Sequence, residues 1–408
     1  MSNEGNSSSP VLSFSDIAEE LKPEAAVAFL SLVDELKRKG INVISFGIGQ
    51  PDFLPPKEAL DAVKKALDEG YTKYISSIGL YELRQKVAEY LSQKYGDEIK
   101  PEEVAITVGT KAGIFLSVMA LVNPGDEVLM QDPSFPAYEA TVTIARGKPV
   151  FIPLKEENGY RLKAEDIITK ITPKTKGIII NDPHNPSGSL LSEDDVKRIY
   201  EVAKEHKLFI ISDEIYEDFV YEGKHTSFLQ MPDWRDNVIY LSGFSKTWGM
   251  TGLRIGYMVA RREVIEKVEA LATHTYTCPP APLQFAGIKA LELGLDFFKD
   301  ILKEYKKRRD AMYNSLLKIP GVSVVKGPGT FYLFPNFREV LKATGINNVD
   351  ELAKRLLYEA HIVVTPGTGF PKYEGEGHLR FSYVLPVDKI EEGAERIREW
   401  VLNNSNRK

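Results

Sequence analysis

Five short runs in this chain are apolar at nearly every position, and they constrain its fold more than any other feature. They are EVAITV (103–108), EVLMQ (127–131), KGIIIN (176–181), LFIISD (208–213) and NVIYLS (237–242). A strand with one wet face alternates apolar and polar residues. A run that stays apolar throughout is covered on both sides, as in a parallel sheet between helices. KPVFIPL (148–154) and RIGYMVA (254–260) read as further strands. Helical patterns at 110–122, 135–147 and 192–206 alternate with these runs. The expected fold is α/β, a mostly parallel central sheet in a three-layer αβα domain.

The texture changes after about residue 290. Charged helical patterns at 296–318, 349–360 and 388–403 flank short strand-like pieces at VSVV, TFYLF, HIVVT and LRFSY. This pattern predicts a smaller α+β domain. Residues 15–40 read as helical with a break at Pro23, INVISF as a strand, and 56–69 and 80–95 as amphipathic helices. The expected organisation is a flexible tail over 1–12, an N-terminal segment over 13–52 joining the small domain, a large domain over 53–290 and the small domain over 291–408. With 408 residues, 43% of them hydrophobic, the chain is long enough for two such cores.

Charge and cysteine content exclude some roles. A net charge of −6 argues against nucleic acid as the main partner. One cysteine, Cys278, permits no intrachain disulfide and fits a reducing compartment. The polar start MSNEGNSSSP lacks the apolar core of a signal peptide, and no run approaches the roughly 18 apolar residues of a membrane span. The cytoplasm is the expected location.

In an open α/β sheet the ligand site lies at the carboxyl ends of the strands. Those ends are followed here by Gly109-Thr110-Lys111, by DPSF with Phe135, by NDPHNPSG with Asn185, by Asp213-Glu214-Ile215-Tyr216, and by SGFSK with Lys246. Taken singly, each has an ordinary reading. Lys246 is a solvated lysine, Asp213 an N-cap, the serines of SGFSK turn residues, Asn185-Pro186-Ser187-Gly188 a tight turn, Phe135 core, and Arg254 and Arg380 surface cations. Together they suit one ligand. A helix N-terminus, hydroxyls and an arginine hold a phosphate. An aromatic face carries a flat ring, and a carboxylate holds a ring nitrogen protonated. A lysine condenses with an aldehyde. That set describes pyridoxal 5'-phosphate. Small residues around Lys246 are expected to let ring and phosphate approach.

The ordered motifs NDPHNPSG, SDEIY and FSKTWGMTGLRIGY resemble the class I aminotransferases of the fold-type I pyridoxal-phosphate enzymes, the prokaryotic-type aspartate aminotransferases among them. The resemblance runs from GIGQPDF (47–53) to LRFSY (379–383) and makes the large domain the cofactor-binding one. It implies that Lys246 bonds covalently to the coenzyme, Asp213 pairs with its pyridine nitrogen, and Tyr216 and Asn185 bond its phenolic oxygen. Phe135 would stack on the ring. Gly109, Thr110 and Lys111 would form the phosphate turn, with Ser245 and Arg254; some relatives place the serine two positions earlier, where this chain has Gly243. Tyr74 would reach the phosphate of a partner subunit, which implies a homodimer with composite sites. Arg380 would clamp the substrate's α-carboxylate, assisted by the backbone near Gly49 and by Asn185.

The implied activity is ping-pong transamination between an L-amino acid and a 2-oxo acid. A lyase on the same scaffold and a non-catalytic ligand-sensing protein are the alternatives. No GxGxxG follows a strand, no Walker loop occurs, the histidines show no metal-ligand spacing, and GFSKT lacks the last glycine of a nucleophile elbow. For the substrate, some aspartate aminotransferases carry an arginine for the distal carboxylate in the segment matching THTYTCPPAP (273–282), which holds none here; other prokaryotic-type relatives carry a lysine just after the phosphate turn, and the resemblance to these implies Lys111 as the partner of that carboxylate. Tyr276 and Phe135 favour aromatic substrates instead.

Overall fold

The computed structural model describes residues 12–24, 32, 33, 35, 36, 38–370 and 375–405. Most of the expected tail and part of the helical reading over 15–40 lie outside these residues. Within them the N-terminal segment holds a helix at Asp16–Glu20. The strands in chain order are β1 Ile44–Ser45, β2 Val104–Val108, β3 Glu127–Asp132, β4 Lys148–Pro153, β5 Thr175–Asn181, β6 Phe209–Asp213, β7 Val238–Gly243, β8 Ile255–Val259, β9 Tyr332–Leu333, β10 Ile362–Val363, β11 Thr365–Pro366 and β12 Leu379–Ser382.

The main sheet has seven strands in the order β2-β8-β7-β6-β5-β3-β4. Strand β8 alone runs antiparallel to its neighbours β2 and β7; the pairings from β7 to β4 are all parallel. The apolar runs are apolar throughout because each face meets its own helical layer. Alternate residues Val104, Ile106, Leu129, Ile178, Ile180, Ile210 and Tyr240 join one core with Leu83, Val87, Val196, Ile199 and Ala286. Their neighbours Ala105, Val128, Met130, Ile179, Ile211, Ile239 and Leu241 join a second with Ile114, Val118, Val142, Ile265 and Val268. This is the three-layer arrangement that continuous apolar strands imply.

A third core gathers Val33, Leu36, Ile44 and Phe46 with Met312, Leu333, Leu356, Ile362, Phe381, Ile397 and Trp400. It lies among the helices Phe298–Leu316 and Val387–Asn404, the sheet β11-β12-β9, and the parallel pair β1-β10. Ile215, Tyr216 and Phe219, from the loop after β6, also enter this core and tie it to the main sheet. One expected strand is missing. VSVV is half-exposed and makes a single bridge, Ser323 to Asn336, because no neighbour offers it a longer edge. Helices at Arg262–Thr275 and Ala281–Leu293 fill a stretch to which the sequence reading assigns nothing. Among the described residues, no helix is long and apolar enough to cross a membrane.

Candidate active site

The polar ends of β2, β3, β5, β6 and β7 converge on one cleft. Thr110, Lys111, Phe135, Asn185, Asp213, Tyr216, Ser245, Lys246, Arg254 and Arg380 all line it, and so does Gly49. Lys246 follows β7 after a short turn, and its Nζ donates to the carbonyl oxygen of Gly49 at 2.7 Å. Burial lowers its pKa to about 7, helped by the Arg380 charge and opposed by Asp213. At neutral pH much of its amine is therefore uncharged and nucleophilic. The rate at which apoprotein forms a borohydride-reducible adduct with pyridoxal phosphate should rise with pH up to about 7 and level off above it. A rate still climbing near the ordinary lysine value of about 10.4 would contradict this environment.

Asp213 ends β6 and is buried, and burial raises its pKa to about 6. Tyr138 donates to its Oδ2 at 2.7 Å, and the amide of Ile215 reaches Oδ1 at 3.3 Å. Both bonds favour the charged form, yet no ion pair reaches this carboxylate among the described residues. A buried carboxylate with only the more distant Lys246 charge to offset it is costly, and a pyridinium N–H would fit it as a partner. Asn181 fixes the neighbouring turn. Its Nδ2 donates to the backbone oxygen of Asp213, and its Oδ1 accepts from the amide of Asn185. Tyr216 shares a 2.9 Å hydroxyl contact with Tyr332.

The anion seat is the N-terminus of the helix Thr110–Leu121. Its N-cap, Gly109, has φ +72°, and a Cβ there would lie 2.3 Å from an Arg254 nitrogen. Only glycine lets the guanidinium close on this turn. Arg254 itself takes a left-handed conformation, φ 55°, and donates to the carbonyl of Thr251. Ser245 faces the same cleft. Gly243 stands where some relatives carry the serine; a Cβ there would lie 2.9 Å from Gly256 Cα and 3.1 Å from Thr110 Oγ1. Gly243 and Gly256 therefore allow a close approach of chain on chain beside this turn, whereas Gly252 faces open space. Backbone N–H groups, two hydroxyl side chains and one arginine suit a phosphate dianion, so the residues fit pyridoxal phosphate at both ends.

Arg380 lies on β12, paired with Thr365 of β11. It is buried, donates to Asn185 Oδ1 at 3.1 Å and to the carbonyl of Gly47 at 2.7 Å, and leaves its Nε without a partner. Gly49, whose backbone the resemblance sets beside the α-carboxylate, lines the same cleft as Arg380. Gly49 itself is held tightly, since a Cβ there would lie 1.9 Å from the Tyr332 hydroxyl. The rings of Tyr332 and Phe370 stack on the guanidinium at 4.4 and 4.8 Å. Their faces fix its plane and exclude water, which strengthens any carboxylate bond it makes.

Lys111 extends from the helix start, with Nζ 5.0 Å from the Phe135 ring centroid and ion-paired to Glu24. Two residues stand apart. Tyr74 is 86% exposed, and neither it nor Tyr276 lines this cleft. His184 is buried against Pro133 and Ser187, with its pKa pushed down to about 4 by burial, so it stays neutral and structural. The sequence reading overlooks Tyr138, Tyr332, Phe370 and Glu24. Only Tyr138 carries a local signal, since it follows Phe135 by three positions in the segment read as helical; the helix starts at Ala137, and the two rings meet edge-on at 5.7 Å.

Residues 41–397 match the family model described as aminotransferase class I and II. An aspartate aminotransferase of Sulfurisphaera tokodaii is 42% identical over 96% of this chain and 98% of its own length. An aromatic-amino-acid aminotransferase of Thermococcus litoralis is 36% identical over 94% of this chain and 98% of its own. The solved aspartate aminotransferase of Thermus thermophilus with maleate superposes with a TM-score of 0.89, at 32% identity, covering 95% and 99% of the two chains. The family match over 41–397 and these relatives place the chain in the class I and II aminotransferases, enzymes that depend on pyridoxal phosphate.

Proposed function

We propose that this aminotransferase takes an acidic amino acid, aspartate or glutamate, with 2-oxoglutarate as the acceptor in a ping-pong cycle, and that it also accepts aromatic side chains. The observation that carries the reading is Lys111, a cation standing over Phe135 at the cleft wall beside the anion seat. The ammonium would pair with a distal carboxylate, while the ring beneath it offers an apolar face. The similarity to both an aspartate aminotransferase and an aromatic-amino-acid aminotransferase supports this reading.

When bound, pyridoxal phosphate supplies a carbonyl carbon that exchanges amino groups and a ring that withdraws electrons. Thr110, Lys111, Ser245 and Arg254 hold its phosphate, and Phe135 supports its ring. Asp213 holds the ring nitrogen protonated, and Asn185 and Tyr216 bond the phenolic oxygen. Arg380, buried at the cleft wall, would grip the substrate's α-carboxylate with its guanidinium, whose Nε has no partner in the protein. Lys246, whose amine burial brings to a pKa of about 7, would be the group placed to take the proton from the substrate's α-carbon and to give it back to the reacting carbon. Tyr74 reaches none of this chain's cleft, so its proposed phosphate contact requires a second copy in a homodimer.

The substrate assignment is tested by kcat/KM for aspartate, phenylalanine and alanine in wild type and Lys111→Ala. Removing the ammonium should lower the aspartate value about tenfold or more and change alanine little, as loss of one partly desolvated ion pair. An aspartate preference untouched by the substitution would remove Lys111 from substrate recognition.

A further inference from the structure

Lys111 does not wait for substrate with a free charge. Its Nζ is ion-paired with Glu24, a carboxylate 87 positions earlier in the chain, just after Pro23 in the N-terminal segment. Glu24 lines the same cleft as Lys246, Phe135 and Arg380. The pair is partly wet, with the lysine side chain 50% and the glutamate 29% exposed. Such a pair is weak enough to exchange one carboxylate for another. Below it lies Phe135, whose ring Lys111 covers at 5.0 Å.

We propose that Glu24 is a specificity-determining residue, an internal carboxylate that occupies Lys111 whenever the substrate brings none. The inference rests on the reading of Lys111 as the distal-carboxylate partner. An acidic side chain must displace Glu24 to reach the ammonium, and the two carboxylates repel one another while they compete. A neutral or aromatic side chain leaves the pair closed and meets, beside Phe135, an ion pair whose net charge is zero. Without Glu24, the same aromatic side chain would have to desolvate an unpaired ammonium, which opposes its binding. One carboxylate therefore lowers affinity for dicarboxylates and raises it for apolar side chains, and lets a single cleft take both. The device works without moving Lys111, because only its partner changes.

The test is Glu24→Gln, which keeps size and hydrogen bonding and removes the charge. Its position is partly exposed, so folding is not at stake. Inhibition constants for maleate and for 3-phenylpropionate, measured on the holoenzyme, read binding apart from chemistry. Maleate should bind about fivefold tighter and 3-phenylpropionate more weakly, so that the ratio shifts by about tenfold. The change in kcat/KM for aspartate against phenylalanine should follow the same ratio and lie mainly in KM, as for an interaction equal in ground and transition states. In a Lys111→Ala background the Glu24→Gln effect should vanish. An unchanged ratio in Glu24→Gln, alongside a loss of aspartate preference in Lys111→Ala, overturns the role of Glu24 and leaves that of Lys111 standing. A shift of equal size with and without Lys111 also overturns it, because Glu24 would then act on the substrate directly. If Lys111→Ala itself leaves aspartate preference intact, the underlying reading falls, and this inference with it.

Discussion

Lys246→Ala should lower the transamination rate by about 10⁴-fold or more. One substitution removes both the nucleophile that binds the coenzyme and the group that moves the α-proton, and general acid–base catalysis alone is worth about 10²–10⁴. The fold should survive, since the side chain makes one hydrogen bond, to the carbonyl of Gly49. Single-turnover kinetics with preloaded protein measure the effect. A mutant within tenfold of wild type would mean that another base serves the α-carbon. Lys246→Arg should be no better. It keeps a cation but cannot supply the uncharged amine that burial creates here, with a pKa near 7 in place of the usual value.

Arg380→Ala should lower kcat/KM by about 10²–10⁴ for every amino-acid substrate, acidic or aromatic. Two charge-assisted hydrogen bonds to a carboxylate are worth about 1.5–3 kcal/mol each, and each 1.4 kcal/mol is tenfold in rate. The loss adds a structural cost, because Asn185 Oδ1 and the carbonyl of Gly47 lose their donor. Arg380→Lys should rescue little, since an ammonium cannot span Asn185, Gly47 and a carboxylate from between the rings of Tyr332 and Phe370. The contrast with Lys111→Ala separates the two ends of the substrate. Loss of Arg380 affects all substrates alike, and loss of Lys111 affects dicarboxylates alone. An Arg380→Ala enzyme impaired only toward aspartate would exchange the two assignments.

The large fold was legible because continuous apolar strands have one stable environment, a sheet covered on both faces, and the two helical layers share alternate residues of β2, β3, β5, β6 and β7. The cleft was legible at those strand ends for the same reason, since parallel strands bring their carboxyl ends to one edge. Contacts that close the cleft across long separations in sequence were not. Tyr332 and Phe370 reach Arg380 from the third core and a neighbouring loop, and no spacing rule links either to residue 380. Glu24 reaches Lys111 across 87 positions. VSVV had the composition of a strand but no edge to join. The glycines show a subtler limit. Their number around Lys246 was visible, but their task, packing Gly243 on Gly256 and Gly109 under Arg254, follows from how closely the chains approach.

Covalent anchoring of the coenzyme by Lys246 has a direct chemical readout. Its most direct test is to load the protein with pyridoxal phosphate, reduce it with borohydride, digest it and locate the modified peptide by mass spectrometry. The expected result is one stoichiometric modification, on Lys246 within LSGFSKTWGM, and no stoichiometric site when that lysine is replaced. A coenzyme trapped instead on Lys111, the other lysine lining the cleft, or an equal yield from the Lys246→Ala protein, would contradict the account.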